Sequence, residues 1–399
     1  MGNTPSGFNE VFIVAAKRTA VGAFQGALSS IPAPRLGAVV IKAALEQSGI
    51  KPEMVDEVIM GNVITAGEGQ APARQAAIYA DLPFGTECMT INKVCGSGLK
   101  AVMLAAQAIQ VGDAEIIIAG GMESMSNIPY YIPQARSGYR LGNGTIEDGI
   151  LRDGLLNVYD NTHMGLAGER CATEYHYSRE AQDAFAVESY KRALAAQKSG
   201  AFDTEIVPVE IPQRKGDPIQ VKTDEEPGRG NFDKMSTLRP AFQKDGTITA
   251  ANASKINDGA AAVVLASGEM VKKLGLKPIA KIIAQASAAQ APEWFTTSPA
   301  IAISKLLKKV NLTVDDIDLY EINEAFSVVT MVTMDELKIP HEKVNVNGGA
   351  VSLGHPIGAS GARILTTLLH AMAARDVKRG LATLCIGGGE ASALLVERL

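Results

Sequence analysis

Apolar and polar positions alternate along this chain in helix–strand units that occur once in each half. Around Leu45 to Met60, A-L-E-Q-S-G-I-K-P-E-M-V-D-E-V-I-M reads as helix, turn, then strand; L-L-K-K-V-N-L-T-V-D-D-I-D-L-Y-E-I, ending at Ile322, repeats that order. C-G-S-G-L-K enters a helix predicted from Leu99 to Ile109 and then the strand I-I-I-A-G-G-M-E. In the second half G-A-S-G-A-R enters a helix and then L-C-I-G-G-G-E. Such alternation builds mixed α/β layers, so the chain reads as one fold written twice. From 127 to 250 the pattern breaks at Pro129, Pro133, Gly138, Gly142 and Gly144, then gives a helix-like stretch from Arg179 to Lys198 and a polar segment P-Q-R-K-G-D-P-I-Q-V-K-T-D-E-E-P-G-R-G. Extended loops in compact folds usually bind, cover or assemble something. The expected division is an N-terminal half over 1–126, completed by about 251–276; a loop domain over 127–250; and a C-terminal half over 277–399.

Composition narrows the function classes. With 399 residues, 46% of them hydrophobic, the chain can bury two cores. A net charge of −5 and a pI near 5.7 give no basic footprint for nucleic acid. Four cysteines make no disulfide framework and favour a reducing compartment. The first strand, near Val11, follows no basic apolar presequence, and no apolar stretch reads as approaching the ~20 residues of a membrane span. The expectation is a soluble cytoplasmic protein with no membrane partner. M-G-N-T-P-S fits the loose myristoylation pattern, which is short and common, and a single acyl chain anchors weakly.

Candidate chemistry centres on Cys95 in T-I-N-K-V-C-G-S-G-L-K. A thiol just before a helix N-terminus meets unpaired N–H groups and the positive dipole end, which favours thiolate. A buried structural cysteine is the competing reading of this segment alone. Two distant segments change the balance: V-N-V-N-G-G-A-V-S-L-G-H-P-I-G-A-S-G-A-R holds His355 on a glycine-rich turn, and A-T-L-C-I-G-G-G-E ends an apolar strand at Cys385, where open α/β sheets place their chemistry. No C-x-x-C or H-x-x-x-H spacing supports a metal site. No Walker pattern occurs, and G-E-G-Q-A-P lacks the third glycine of a dinucleotide fingerprint. Cys95 as a thiolate is a candidate nucleophile. Its base is His355, with His163 in N-T-H-M-G the rival; His176, His341 and His370 read as ordinary. Glu324 reads by itself as a general acid or base, but a structural role is preferred because the two cysteines and the histidine already cover the proton transfers.

With E-I-N-E-A-F around Asn323 and T-A-A-N-A-S-K-I-N-D-G-A-A-A around Ser254, these segments closely resemble the thiolase family. The resemblance runs nearly end to end, from V-F-I-V-A-A-K-R-T through G-E-G-Q-A-P-A-R-Q-A and G-G-M-E-S-M-S, and is closest to the short-chain acetyl-CoA acetyltransferases. It implies a duplicated thiolase fold: two related mixed-sheet α/β halves in an α-β-α-β-α layering with a large loop insertion. It implies reversible Claisen condensation of two acetyl-CoA to acetoacetyl-CoA and CoA through an acetyl group on Cys95. Cys385 is then the carbon base, and His355 with a water held by Asn323 stabilises the enolate. The N–H groups of Cys95 and Gly387 form a second oxyanion hole. The implied coenzyme A path runs along Leu155, His163, Met164 and Phe242, then Ala250, Ser254 and Phe326; Phe242 and Phe326 also read as plain core aromatics.

The chain departs from the family pattern at several places. Arg229 is displaced by one residue from the usual phosphate-binding arginine, with Lys234 as compensation. Pro227 stands where the potassium-activated mitochondrial type has tyrosine, which speaks against potassium activation. Thr296, after Phe295, replaces a proline and leaves tolerance of a 2-methyl branch open. No permanently bound cofactor is implied, only coenzyme A thioesters as substrates. A degradative 3-ketoacyl-CoA thiolase of broader chain length is the alternative, and an inactive acyl-CoA or lipid binder on the same scaffold is the alternative of another class. A homo-oligomer, a tetramer built as a dimer of dimers, is expected from Tyr130, Tyr131, Ile132 and Tyr139, read as exposed apolar residues of the insertion.

Overall fold

The computed structural model describes residues 7–399, so the M-G-N-T-P-S hexapeptide lies outside the described residues. The first half contains β1 (Val11–Thr19), α1 (Ala33–Ser48), β2 (Glu57–Gly61), α2 (Pro72–Tyr79), β3 (Glu87–Ile91), α3 (Ser97–Val111) and β4 (Ile116–Ser124). The insertion carries α4 (Met164–Glu174) and α5 (Arg179–Ser199), after which β5 (Asn257–Ser267) returns to the first sheet between β1 and β4. The second half contains β6 (Ala280–Ala289), α6 (Ser298–Val310), β7 (Leu319–Ile322), α7 (Ser327–Leu337), α8 (Ser360–Ala374), β8 (Arg379–Ile386) and β9 (Glu390–Arg398).

The strand order is β7-β8-β9-β6-β1-β5-β4-β2-β3, and β6 meets β1 only at Lys281–Phe12 and Ala280–Ile13. Read outward from that seam, each half has the same sequence of antiparallel and then parallel partners. The ladder slips at matching places, between Ile13 and Ala15 in β1 and between Ile282 and Ala284 in β6. Local signals repeat too. Both α1 and α6 have proline in the first turn, where the missing N–H costs nothing, and end on a left-handed residue, Gly49 at φ +69° and Asn311 at φ +53°.

Burial follows from these patterns. β4 and β5 are buried along their whole length and read as continuous apolar or small-residue runs, as strands covered on both faces do. Leu99, Val102 and Ile109 of α3 meet Ile364, Leu368 and Met372 of α8 in a central helical layer between the two sheets. α1 covers the outer face of the first sheet through Leu36 and Ile41, and α6 covers the second through Ile303 and Leu306. The result is the α-β-α-β-α stack. One sequence reading needs correction: Val94–Val111 is apolar enough, at mean hydropathy 1.3, to match a membrane span by composition. Its apolar face packs on the first sheet and on α8, while Gln107 and Val111 are exposed, so it is a core helix of the layered fold.

α3 and α8 begin side by side. A Cβ on Gly98 would lie 2.8 Å from Ala362 N, and one on Gly361 only 2.3 Å from Leu99 N, so the two backbones touch at their first turns. The insertion is tied to β1 by the fully buried Arg18, whose guanidinium donates to Glu205 and, at 2.7 Å, to Asp224. Tyr130, Ile132 and Tyr139 are exposed, but Tyr131 is half-buried because its hydroxyl donates to Asp153 at 2.6 Å.

Candidate active site

Cys95 stands on a compressed turn ahead of α3. Asn92 Oδ1 accepts the Val94 N–H at 2.9 Å, the Lys93 N–H donates to Ser97 Oγ at 2.8 Å, and Ser97 Oγ donates to Val94 O at 2.7 Å. Together they hold Val94 at φ +46°, a left-handed conformation that costs a β-branched residue ~1–3 kcal/mol. The backbone N–H groups of Cys95 itself and of Gly387, in the G-G-G turn after β8, favour the charged form of the sulfur. These pull the thiol down, yet burial outweighs them and pushes it up to about 11, with the Glu123 carboxylate adding to the rise. The expectation of a resting thiolate is therefore corrected. The helix terminus supplies its donors, and the desolvation imposed by distant segments wins.

His355 is buried on the loop between the short helix Ala350–Leu353 and α8. Its Nδ1 lies 2.6 Å from Ser360 Oγ, whose hydrogen is committed to Pro356 O at 2.8 Å. Ser360 must therefore accept, which places the imidazole proton on Nδ1 and leaves a lone pair on Nε2. Nε2 is buried and meets no partner among the described residues. Burial, reinforced by the Arg363 charge, lowers the imidazole to about 3, so it rests neutral. The Asn323 amide lies 3.5 Å from Nδ1, and Asn323 Oδ1 is a second buried atom without a protein partner. Cys385, next to the last residue of β8, is fully buried; burial first, then the neighbouring Cys95, raises its thiol well above the ordinary range.

The other candidate groups sort by their bonds. Glu324 accepts from Ser189 Oγ at 2.7 Å, Asn345 Nδ2 at 2.8 Å and Val351 N at 3.1 Å, so its carboxylate is engaged in joining α5 to the loops of the second half. His163 caps α4, its Nδ1 accepting from Gly165 N at 3.0 Å, and stacks on Phe242 at 4.6 Å between ring centroids. Phe242 meets Phe326 edge-on, and Met164 and Ala253 pack in the same apolar cluster as Cys385. Leu155 packs beside Cys95 in a neighbouring cluster. Ser254 is half-buried and Ala250 exposed along one segment. Arg229 and Lys234 are exposed on the turn over 227–235, away from these clusters.

Two family models cover the chain, the thiolase N-terminal domain over residues 11–269 and the thiolase C-terminal domain over 276–398. The chain belongs to the thiolase family. The acetyl-CoA acetyltransferase of Cupriavidus necator is 58% identical over 98% of this chain and 99% of its own, and that of Schizosaccharomyces pombe 54% identical over 98% and 99%. Among solved structures, the Acat5 thiolase of Ascaris suum in complex with coenzyme A matches at TM-score 0.93 and 47% identity, over 98% of this chain and 100% of its own. The Bacillus anthracis acetyl-CoA acetyltransferase matches at TM-score 0.96 and 41% identity over the same shares.

This thiolase also uses residues that the sequence reading passed over. Ser360 sits in the quoted A-S-G-A-R run, and its only signal was a hydroxyl five residues after His355. Glu123, in G-G-M-E-S, is fully buried; its carboxylate accepts from Gly358 N at 2.9 Å, Val63 N at 3.0 Å and Ile64 N at 3.1 Å. It thereby pins the H-P-I-G loop to the first half, with burial pushing it up to about 7 against those N–H groups.

Proposed function

We propose that this thiolase is an acetyl-CoA C-acetyltransferase, interconverting two acetyl-CoA with acetoacetyl-CoA and CoA. The observation that carries the reading is the buried Nε2 lone pair of His355, in a site where the backbone N–H groups of Cys95 and Gly387 favour negative charge on the Cys95 sulfur. Cys95 Sγ attacks the thioester carbonyl as its proton passes to His355 Nε2, and the developing oxyanion takes the two N–H groups. The imidazolium then protonates the departing CoA thiolate, leaving acetyl-Cys95. In the second half-reaction Cys385 gives its proton to His355 and, as thiolate, removes a methyl proton from a second acetyl-CoA. The enolate oxygen is held by His355 Nε2–H and by a water on Asn323 Oδ1. The carbanion attacks acetyl-Cys95, and the expelled Cys95 sulfur recovers the proton from His355. Burial that raises Cys385 suits this step, since a methyl carbon acid needs a strong base.

The names of the curated relatives favour acetyl transfer over the broader degradative thiolase, and the presence of both cysteines and a free histidine nitrogen argues against an inactive binder. For coenzyme A, the His163–Phe242–Phe326 wall, with Leu155, Met164, Ala250 and Ser254, supports a pantetheine path, and the exposed Arg229 and Lys234 are the candidate phosphate contacts. The exposed Tyr130, Ile132 and Tyr139 support assembly into a tetramer, which light scattering at micromolar protein checks. Four free cysteines accord with a reducing, cytoplasmic setting. The deciding experiment is labelling with acetyl-CoA. The label should map to Cys95, and Cys95→Ser should lose both label and turnover; stable acetylation elsewhere with activity intact would overturn the mechanism.

A further inference from the structure

The segment 253–257 makes an unusual set of bonds to the loops of the second half. Ser254 N donates to Ala325 O at 3.0 Å, next to Asn323, and Asn257 Oδ1 accepts the N–H of His355 at 2.9 Å. Between them, the Lys255 ammonium donates to its own segment at Ala253 O and across to Val351 O, each at 2.8 Å. Val351 belongs to the short helix Ala350–Leu353, in which Gly354 N closes on Ala350 O. The next bond of that helix would run from His355 N to Val351 O. It is not made, because Asn257 takes the donor and Lys255 takes the acceptor. One segment thus satisfies both halves of a broken helical bond at the residue before which the backbone turns, Gly354 at φ +105°.

The ammonium itself is held without an ion pair. It lies 5.3 Å from the centre of the Tyr190 ring; burial pulls it down to about 8, and the charges that oppose this and favour the ammonium are Glu226 and Glu324. Both are engaged elsewhere, Glu226 by Asn257 Nδ2 at 3.3 Å and Glu324 by its own three donors. A cation between backbone carbonyls, against an aromatic face and near two committed carboxylates, is coordinated as a bare monovalent ion is. Here the ion is tethered to the chain.

We infer that Lys255 is a positioning residue, an internal cation that couples the Ala253 and Val351 carbonyls and so fixes the His355 loop against the segment carrying Ser254 and Asn257, with no dissolved cation required. The inference rests on the role given above to His355. The two fail separately, because loss of activity in His355→Ala tests that role without touching Lys255.

The test compares three proteins at constant ionic strength in choline, potassium and ammonium chlorides. The wild-type rate of acetoacetyl-CoA cleavage should be the same in all three. Lys255→Ala, which empties the space, should lose kcat by about tenfold or more in choline, with a smaller change in KM. Potassium or ammonium should restore it saturably. Lys255→Met, which fills the space with an uncharged chain, should lose as much and recover nothing. A Lys255→Ala protein that keeps its kcat overturns the inference, as does one that melts like wild type yet stays slow in every salt. A wild-type rate that itself rises saturably with potassium overturns it without any variant needing to fold.

Discussion

Ser360→Ala isolates the tautomer of His355. The substitution removes one oxygen, which accepts from Nδ1 at 2.6 Å and lies in a fully buried position. Without it the buried Nδ1–H has no acceptor, since the nearest other group, the Asn323 amide, is at 3.5 Å. An unsatisfied buried donor costs ~1–3 kcal/mol, which the imidazole escapes by moving its proton to Nε2. That escape removes the lone pair from the atom that must receive the Cys95 proton. With ~1.4 kcal/mol for each factor of ten, a bias lost on that scale predicts a kcat for acetoacetyl-CoA cleavage lower by roughly ten- to a hundredfold. KM should stay near wild type, because Ser360 is separate from the His163–Phe242–Phe326 wall. Ser360→Thr, which keeps the hydroxyl, should recover part of the loss. The assay is steady-state cleavage with CoA, alongside the rate of Cys95 alkylation by iodoacetamide. A folded Ser360→Ala protein with wild-type kcat, in which His355→Ala is still inert, would refute the assignment of the proton to Nδ1.

Cys385→Ser should still accept acetyl from labelled acetyl-CoA but fail to exchange its methyl protons with deuterium, whereas His355→Ala should lose both half-reactions; normal exchange in the Cys385 variant would assign the carbon base to another group. Gly98→Ala puts a methyl 2.8 Å from Ala362 N and 3.0 Å from Gly358 O, so melting temperature and kcat should both fall, for an overpacking cost of ~1–3 kcal/mol, while Gly85→Ala, with nothing within 4 Å, should change neither. Because desolvation pushes the half-buried Cys95 thiol up to about 11, its alkylation in the free enzyme should climb with pH beyond the ordinary thiol range; a plateau near pH 8 would contradict the raised thiol. His355 is lowered to about 3 from 6.5, so the folded state binds fewer protons than the unfolded one between those values. The stability linked to it is complete above pH 6.5 and is lost as pH falls toward 3, by at most ~5 kcal/mol, which the difference in denaturation midpoint between wild type and His355→Asn across that window should reveal.

The duplicated architecture was legible because periodicity is a local property. Helix, turn and strand from Leu45 to Met60 and again up to Ile322 are set by residues within a few positions of one another, and so are the glycine-rich entries to α3 and α8. The chemical residues on those entries were legible for the same reason. Cys95 and Cys385 lie where a strand or turn ends on glycine, and His355 lies on a turn that core packing explains poorly. What stayed hidden depends on partners far along the chain. Nothing near Cys95 announces its desolvation, which comes with packing against the apolar cluster of Val63, Ile64 and Ile357. Ser360 is one hydroxyl in a run of small residues and acquires meaning only when His355 is seen to lack another Nδ1 partner. The run from Val94 to Val111 cannot report from its own composition whether lipid or the first sheet and α8 will cover it.

The resting charges bear on why this site does not damage itself. A thiol pushed up to about 11 and an imidazole lowered to about 3 keep the proton on sulfur in the resting protein. Both shifts come from burial, and an acyl thioester alters burial's effect at one point only, by placing a developing oxyanion on the Cys95 and Gly387 N–H groups. In the proposed mechanism the negative charge then leaves the sulfur for oxygen while the proton reaches His355, so imidazolium and oxyanion form together and stabilise each other in a medium that penalises either alone. A permanently ionised thiolate would attack any electrophile reaching the pocket and would be open to oxidation. The same enclosure that makes Cys95 a poor nucleophile at rest therefore ties its ionisation to the presence of a carbonyl in the right place. It also explains why the supporting groups, Ser360, Glu123 and Asn257, act through hydrogen bonds to loops and rings, with no charge of their own placed against the sulfur but that of Glu123.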